Sequence, residues 1–161
     1  MTDRTEATDR TEATDPIKAT DWTEAQVTTK VSPRSVAATV ARLTEILSAK
    51  GMKVFAVIDQ REQAQAVGLE LRETTLVLFG SPAAGTPVMD TAPLSALDLP
   101  LKVLIWADDT QAPDDTQAAR APQTKVSYYG PAALAARYGL TDQLAARLAG
   151  IDPLTDALIA D

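Results

Sequence analysis

The chain has 161 residues, close to the usual single-domain length of roughly 150, and a formal net charge of -7. Because it contains no cysteine and no histidine, it cannot form disulfides, thiolate or imidazole catalytic groups, Cys/His zinc sites or iron–sulfur clusters. Its 15 Lys and Arg residues form no run, which argues against a nucleic-acid partner. We predict no catalytic residue, no metal and no cofactor. An enzyme of this composition would have to use Asp, Glu, Lys, Tyr, Ser or Thr.

The first 25 residues carry a six-residue repeat, TDRTEA in its clearest form, with almost nothing apolar before Trp22. Seven acidic residues and three basic ones leave a charge of -4 in this segment. Burial of so little apolar surface does not offset the entropy lost on ordering. We therefore predict a disordered acidic tail over 1–25 and a single domain over 26–161. The alternative is an arm that recruits a partner through Trp22.

The amino terminus lacks the apolar segment of a secretory signal. No stretch approaches the roughly 18 consecutive apolar residues that cross a membrane. These features predict a cytoplasmic protein without membrane contact.

The first half of the predicted domain alternates strands with helices. Residues 26–31 are rich in β-branched side chains and predict a strand, after which Ser32 is expected to cap a helix of about 18 residues ending at Gly51. Residues 52–58 are apolar on both faces and predict a central strand. Asp59 is expected to cap a short helix that stops at Gly68, and residues 74–79 predict the third strand.

The second half adds two strands and several short helices. We expect helical turns over 88–99, strands over 101–106 and 125–129, and between them an acidic loop over 108–123 that is solvated rather than a calcium site. Pro131 is expected to open a helix ending at Gly139, Thr141 to cap another, and residues 152–159 to form a last helical turn. Strands that follow one another without long helices indicate an α+β fold with the order β-α-β(4)-α and a mainly antiparallel sheet. Helices would pack on one face, with short extra helices at the C-terminus.

Five segments in order resemble one known family: 54–59, 76–82 with 85–87, 97–103, 126–128 and 134–140. The chain resembles the bacterial and archaeal family called domain of unknown function 302 over roughly residues 28–140. The resemblance implies a small α+β fold related in shape to the TATA-binding protein, a tendency to form homodimers, and no established activity. Members often carry His and Asn where this chain has Gln60 and Ser81, so a function of those residues would be lost here.

The segment over 80–87 is the first place to look for a ligand. Gly80 and Gly85 have the spacing of a phosphate-binding P-loop, but Thr86-Pro87 stands where Lys and Ser/Thr belong, which argues against that type of hydrolysis. With Thr86 as an N-cap and Pro87 as the first helical residue, free amides could receive an anion. The alternative is a structural turn set by glycine and proline.

Two further groups of residues are candidates for binding or chemistry. We assign Gly80, Ser81, Gly85, Thr86, Asp59 and Tyr128 as candidate ligand-binding residues. Acid/base chemistry would need two converging carboxylates, and the acidic residues nearest the motif ends are Asp59, Glu62, Asp90 and Asp98. Arg137 and Tyr138 could bond to a ligand over the sheet, or could belong to a solvated helix face and a core edge.

The leading functional hypothesis is a non-enzymatic, dimerising module that binds a small or anionic ligand beside the 80–87 segment. The alternatives are a hydrolase-like enzyme that uses carboxylates or tyrosine, and a scaffold that recruits a partner through its acidic tail.

Overall fold

The computed structural model describes residues 26–109 and 121–161. The predicted tail with Trp22 and most of the acidic loop, including Asp114 and Asp115, lie outside these residues. The described strands are β1 (Val27–Ser32), β2 (Lys53–Asp59), β3 (Thr74–Gly80), β4 (Leu101–Asp108) and β5 (Gln123–Tyr129). The described helices are α1 (Val36–Ala49), α2 (Gln60–Ala66), α3 (Pro82–Thr91), α4 (Pro131–Tyr138), α5 (Asp142–Ala146) and α6 (Ile151–Ile159), with a 3-10 helix at Pro93–Leu97.

The strands form one antiparallel sheet in the order β1-β5-β4-β3-β2. Strands β2 to β5 pair with their neighbours in the chain, whereas β1 crosses over to pair with β5. The short helices α2 and α3 are inserted at two of the strand connections. This arrangement confirms the predicted α+β class.

The position of β2 differs from our prediction, because it is an edge strand and not a central one. Phe55 and Val57 are consequently 46% and 47% exposed. Both faces of β2 carry apolar residues because each face extends an apolar surface of the sheet. Val54 packs against the core, while Ile58 continues an apolar row across the other face of the sheet.

One face of the sheet is buried under helices. Val77, Phe79, Val103, Ile105 and Val126 alternate along the three inner strands and are fully buried. Helix α1 packs on β2, β3 and β4, and α6 packs on α1 and β1. Burial of this face therefore supplies most of the apolar driving force for folding.

The opposite face of the sheet carries an apolar row that stays partly exposed. Cross-strand pairing aligns Ile58 with Leu76 and Leu76 with Leu104, and Trp106 and Leu78 belong to the same face. The Trp106 indole donates to Ser127 Oγ at 3.1 Å, which holds the ring against the sheet. We call these five apolar residues, Ile58, Leu76, Leu78, Leu104 and Trp106, the open face.

Helix α1 begins later than predicted. Ser35, not Ser32, is the N-cap, and its hydroxyl accepts from the Ala38 amide at 3.2 Å. Ser32 ends β1, where its hydroxyl is buried and lies 2.8 Å from Thr39 Oγ1. The helix accordingly has 14 residues and not about 18.

Helix α3 begins earlier than predicted. Ser81 occupies the N-cap position and Pro82 the first helical position, so Gly85, Thr86 and Pro87 lie inside the helix. Pro82 is suited to that place because its missing amide would have no helical partner there. The amides after Pro87 are therefore in the helix interior, and the anion site predicted for them is wrong.

Other local predictions are confirmed. Asp59 caps α2 by accepting from the Glu62 amide at 3.0 Å, and Thr141 caps α5 by accepting from the Leu144 amide at 3.3 Å. Helix α4 opens at Pro131 and ends at Gly139, which adopts the left-handed conformation at φ 62°. These signals are short-range, which is why the sequence predicts them well.

Candidate functional site

A cavity of about 340 Å³ lies at the end of the sheet where β3 stops and β4 starts. The first turns of α3 form one wall, the segment 99–101 forms another, and the junction between α5 and α6 closes a third side. Phe55, on the exposed edge strand β2, lies at the margin. The antiparallel pairing of β2, β3 and β4 brings Phe55, the start of α3 and the 99–101 segment to one place.

The lining of this cavity is mainly apolar. Its larger apolar side chains are Met52, Phe55, Met89, Leu99, Leu101, Leu148 and Ile151. Methionine adapts its unbranched, polarisable side chain to irregular shapes, and the aromatic ring offers a flat apolar surface. The volume is within the range of about 300–1,000 Å³ that is common for small-molecule pockets.

Few polar groups face the apolar walls. Ser81 lines the cavity, and its hydroxyl does not cap α3 even though the residue occupies the N-cap position. Thr86 lines the same wall one turn along the helix. Among the described residues, Arg147 is the one charged residue of the lining.

Arg147 sits at the C-cap of α5, where its amide donates to the Leu144 carbonyl at 3.1 Å. Its exposed side chain makes no hydrogen bond or ion pair with the described part of the chain. A guanidinium group is always charged near neutral pH and presents a planar fork of donors. It is thus an available positive charge beside an apolar space.

The structure brings four of the six predicted ligand-binding residues together. Gly80, Ser81, Gly85 and Thr86 all line the cavity. Asp59 lies at the opposite end of β2, so it belongs to a different region of the surface. The Gln60 and Ser81 positions, where the related family often has His and Asn, are likewise at opposite ends of the sheet.

Tyr128 is buried under α6, away from the cavity lining. Its hydroxyl donates to Asp152 Oδ1 at 2.7 Å, and burial raises the pKa of the phenol. Lys30 lies over the ring and donates to Asp156 Oδ1 at 2.6 Å and to Thr155 Oγ1 at 2.7 Å. Burial acts to lower the pKa of Lys30, but the bonds to Asp156 and Tyr128 raise it overall. This cluster joins β1, β5 and α6.

A second polar cluster supports the cavity wall. Asp98 accepts bonds from the Tyr138 hydroxyl at 2.6 Å, Arg137 Nη1 at 2.7 Å and Lys102 Nζ at 3.3 Å. Burial acts to raise the pKa of this carboxyl, yet the three bonds hold it below its ordinary value. Asp98 directly precedes Leu99, so the cluster anchors the 99–101 wall to α4 and β4.

A wide groove of about 600 Å³ occupies the other end of the sheet, between α1 and α2. It contains Asp59, Glu62 and Glu73 on its walls, together with Arg61. Asp59 is already engaged as the cap of α2. Asp98 lies in the separate cluster described above, so the carboxylates that we considered for acid/base chemistry are divided between different regions. In the residues that the structure describes, no group of three or more acidic side chains is placed to hold a metal ion.

The sequence did not point to most of the cavity lining. The pattern around Met52 and Phe55 predicts only a strand, and Arg147 stands in a stretch of small residues with no motif around it. The 97–103 segment belongs to the family pattern, which was the one available signal for the wall at Leu99. The remaining lining residues come together because segments that are distant in the sequence pack side by side, which no local sequence pattern predicts.

Comparisons with known proteins identify one family. The family model described as domain of unknown function DUF302 matches residues 27–158. A crystal structure of an uncharacterized conserved DUF302 protein from Bacillus stearothermophilus has a TM-score of 0.64 and covers 83% of this chain and 94% of that one. Its identity to this chain is 19%, so the likeness shows a common fold.

Part of the chain is also similar to longer proteins. Proteins named fluoride-specific ion channel FluC 1 from Brucella suis and Brucella abortus are 36% identical over 85 residues, or 53% of this chain. The match covers 34% and 32% of those two proteins, so this chain spans about a third of their length. None of the helices that the structure describes has the length and apolar character needed to cross a membrane.

Proposed function

This chain belongs to the family of domain of unknown function DUF302, and we propose that it acts as a binding module whose ligand occupies the cavity beside α3. The observation that carries this proposal is the largely apolar cavity, with Ser81, Thr86 and Arg147 as its few polar side chains. Small-molecule sites commonly combine an apolar lining with a few placed polar groups.

Part of the cavity wall is regular secondary structure, whereas Leu99, Pro100 and the turn over 147–150 lie in connections. Gly80 ends a strand and Leu101 begins one, while Gly85 and Met89 belong to α3. Walls made of strands and helices are largely preformed. Ligand binding there would cost little conformational entropy of the protein, which favours affinity.

A neutral fluorescent probe, N-phenyl-1-naphthylamine, tests whether this space binds apolar molecules. We expect its emission to rise on binding to the full chain. Gly85→Leu would place a bulky side chain on the cavity wall and should weaken binding at least tenfold. Gly85→Ala is the matched control, because an added Cβ would lie 3.8 Å from Met89 Cε, an ordinary contact.

Two results would contradict a binding role. One is an unchanged probe spectrum in the presence of the wild-type chain. The other is equal affinity for the wild type and a folded Gly85→Leu variant, since the probe would then bind elsewhere.

We also propose that the chain forms a homodimer through the open face of the sheet. Leu76, Leu78, Leu104 and Trp106 form a partly exposed apolar surface on regular strands. Aromatic and aliphatic residues of this kind are frequent at the cores of protein interfaces. Face-to-face packing of two such sheets would remove this surface from water.

Sedimentation velocity tests the dimer directly. We expect the mass of two chains for the wild type and of one chain for Leu78→Glu. Val67→Glu introduces the same charge at an exposed residue outside the sheet and should remain dimeric. A wild-type protein that sediments as one chain over the whole accessible concentration range would refute the dimer.

The similarity to the Brucella proteins favours a second candidate function, association with a membrane channel. The channel chains carry an 85-residue segment similar to this domain together with further sequence. The test is to reconstitute the Brucella suis channel without its similar segment and to measure fluoride efflux with and without this chain. A change in efflux would support the association, and identical efflux would argue against it.

A further inference from the structure

We propose that the ligand of the cavity is an apolar molecule carrying a single carboxylate, and that Arg147 pairs with that carboxylate. This inference rests on the binding function proposed above and specifies the chemical class of the ligand. Its basis is the combination of apolar walls with one charged residue, of positive sign, among the described residues of the lining.

The availability of Arg147 distinguishes it from the arginines that hold the fold together, such as Arg34 and Arg137. Arg34 donates to the Leu158 and Ala160 carbonyls, and Arg137 donates to Asp98. Those guanidinium groups join secondary-structure elements. Arg147 has no such bond in the described part of the chain, so its donors are free to bind a ligand.

The sign and the number of charges select the ligand class. A free guanidinium group beside an apolar cavity favours a ligand that combines an apolar body with a negative group. A guanidinium group bonds a carboxylate through two parallel N–H donors, and the adjoining apolar walls weaken the competition from water. One guanidinium balances one carboxylate, whereas a phosphate monoester would bring nearly two charges to the same group.

The apolar lining excludes a small, fully polar anion as the preferred ligand. Met52, Met89 and Leu99 would stay in contact with water if an acetate-sized anion were bound. An alkyl or aryl group would cover them and remove apolar surface from water on both partners. The Ser81 hydroxyl, which is not used as a helix cap, offers a further hydrogen bond inside the same wall.

Three probes with the same tail and different heads test the inference: decanoate, decanol and decylamine. Isothermal titration calorimetry on the full chain should show the highest affinity for decanoate, a lower affinity for decanol and the lowest for decylamine. Arg147→Met keeps an unbranched side chain of similar length and removes the charge. We expect this substitution to lower the affinity for decanoate about tenfold and to leave the affinity for decanol unchanged.

Two further variants exclude simpler explanations. Arg61→Met makes the same change in the groove at the other end of the sheet and should not alter decanoate binding. Arg147→Lys retains the positive charge and should recover part of the lost affinity. Thermal unfolding of each variant verifies that the fold is retained.

The outcomes separate the inference from the proposed function. Equal affinities for the three probes, or an Arg147→Met variant that binds decanoate as tightly as the wild type, would overturn the carboxylate assignment and leave an apolar binding site intact. If neither these probes nor the neutral naphthylamine binds, both proposals fail.

Discussion

The cluster around Asp98 yields a prediction in which a single proton changes stability. Asp98 lies between the 3-10 helix and β4, and its side chain is 14% exposed. Replacing it with Asn keeps the shape but removes the negative charge that Arg137, Lys102 and the Tyr138 hydroxyl contact. We expect Asp98→Asn to unfold more easily at neutral pH.

The size of the effect follows from the environment of the three donors. A hydrogen bond to a charged group contributes about 1.5–3 kcal/mol, but three donors that share one carboxylate are not additive. The side chains of Arg137 and Lys102 are 35% and 29% exposed. Water can therefore hydrogen-bond to both groups once the carboxylate charge is removed, which offsets part of the lost stabilisation. The free energy of unfolding should therefore fall by about 2 kcal/mol.

The pH dependence has a definite sign. The pKa of Asp98 in the folded chain lies below its ordinary value of 3.8. Its charged form therefore stabilises the fold above that ordinary value, and the stabilisation disappears as the pH falls through the lower, folded-state pKa. The difference between the wild type and Asp98→Asn should shrink on acidification, because protonated Asp98 then resembles Asn.

Urea unfolding followed by far-UV circular dichroism, from neutral pH to about pH 2, measures this difference. Asp90→Asn is the control, because Asp90 is exposed and makes no bond within the described residues. A loss for Asp98→Asn no larger than that of the control would refute the reasoning. So would a difference that stays constant over the whole pH range.

Three pairs of substitutions test helix capping, backbone conformation and core packing. Asp59→Ala removes the cap of α2 and should cost about 1 kcal/mol in the free energy of unfolding, whereas Asp59→Asn should cost only a few tenths because Asn caps equally well. Gly139→Ala places a Cβ at φ 62° and should destabilise by about 1 kcal/mol, whereas Gly150→Ala at φ -61° should not destabilise. Phe79→Ala in the core should lower the free energy of unfolding by about 3–5 kcal/mol. Phe55→Ala should lower it by less than half as much, because Phe55 is already 46% exposed. Chemical denaturation measures all three pairs, and equal losses within a pair would contradict the corresponding prediction.

The candidate site shows how far sequence reasoning extends. The sequence predicts that a strand ends at the 80–87 segment, and β3 does end there, because the change from apolar residues to Gly, Ser and Pro is visible locally. The predicted start of α3 at Pro87 lies several residues too late, because both Pro82 and Pro87 can occupy a first helical turn. The choice between the two prolines depends on how the helix packs at the end of β3, and this packing cannot be predicted from the local sequence.

The order of the predicted strands and helices indicated the α+β class. Short-range chemistry determined the other features that the amino-acid sequence predicts by itself: the caps at Asp59 and Thr141 and the helix end at Gly139. Each depends on residues within a few positions of one another. The tertiary structure alone decided that β2 is an edge strand and that Phe55 and Arg147 line the same cavity. The physical reason is that strand order and cavity walls arise from pairing between distant segments, and an apolar strand has much the same composition whether one neighbour or two lie beside it.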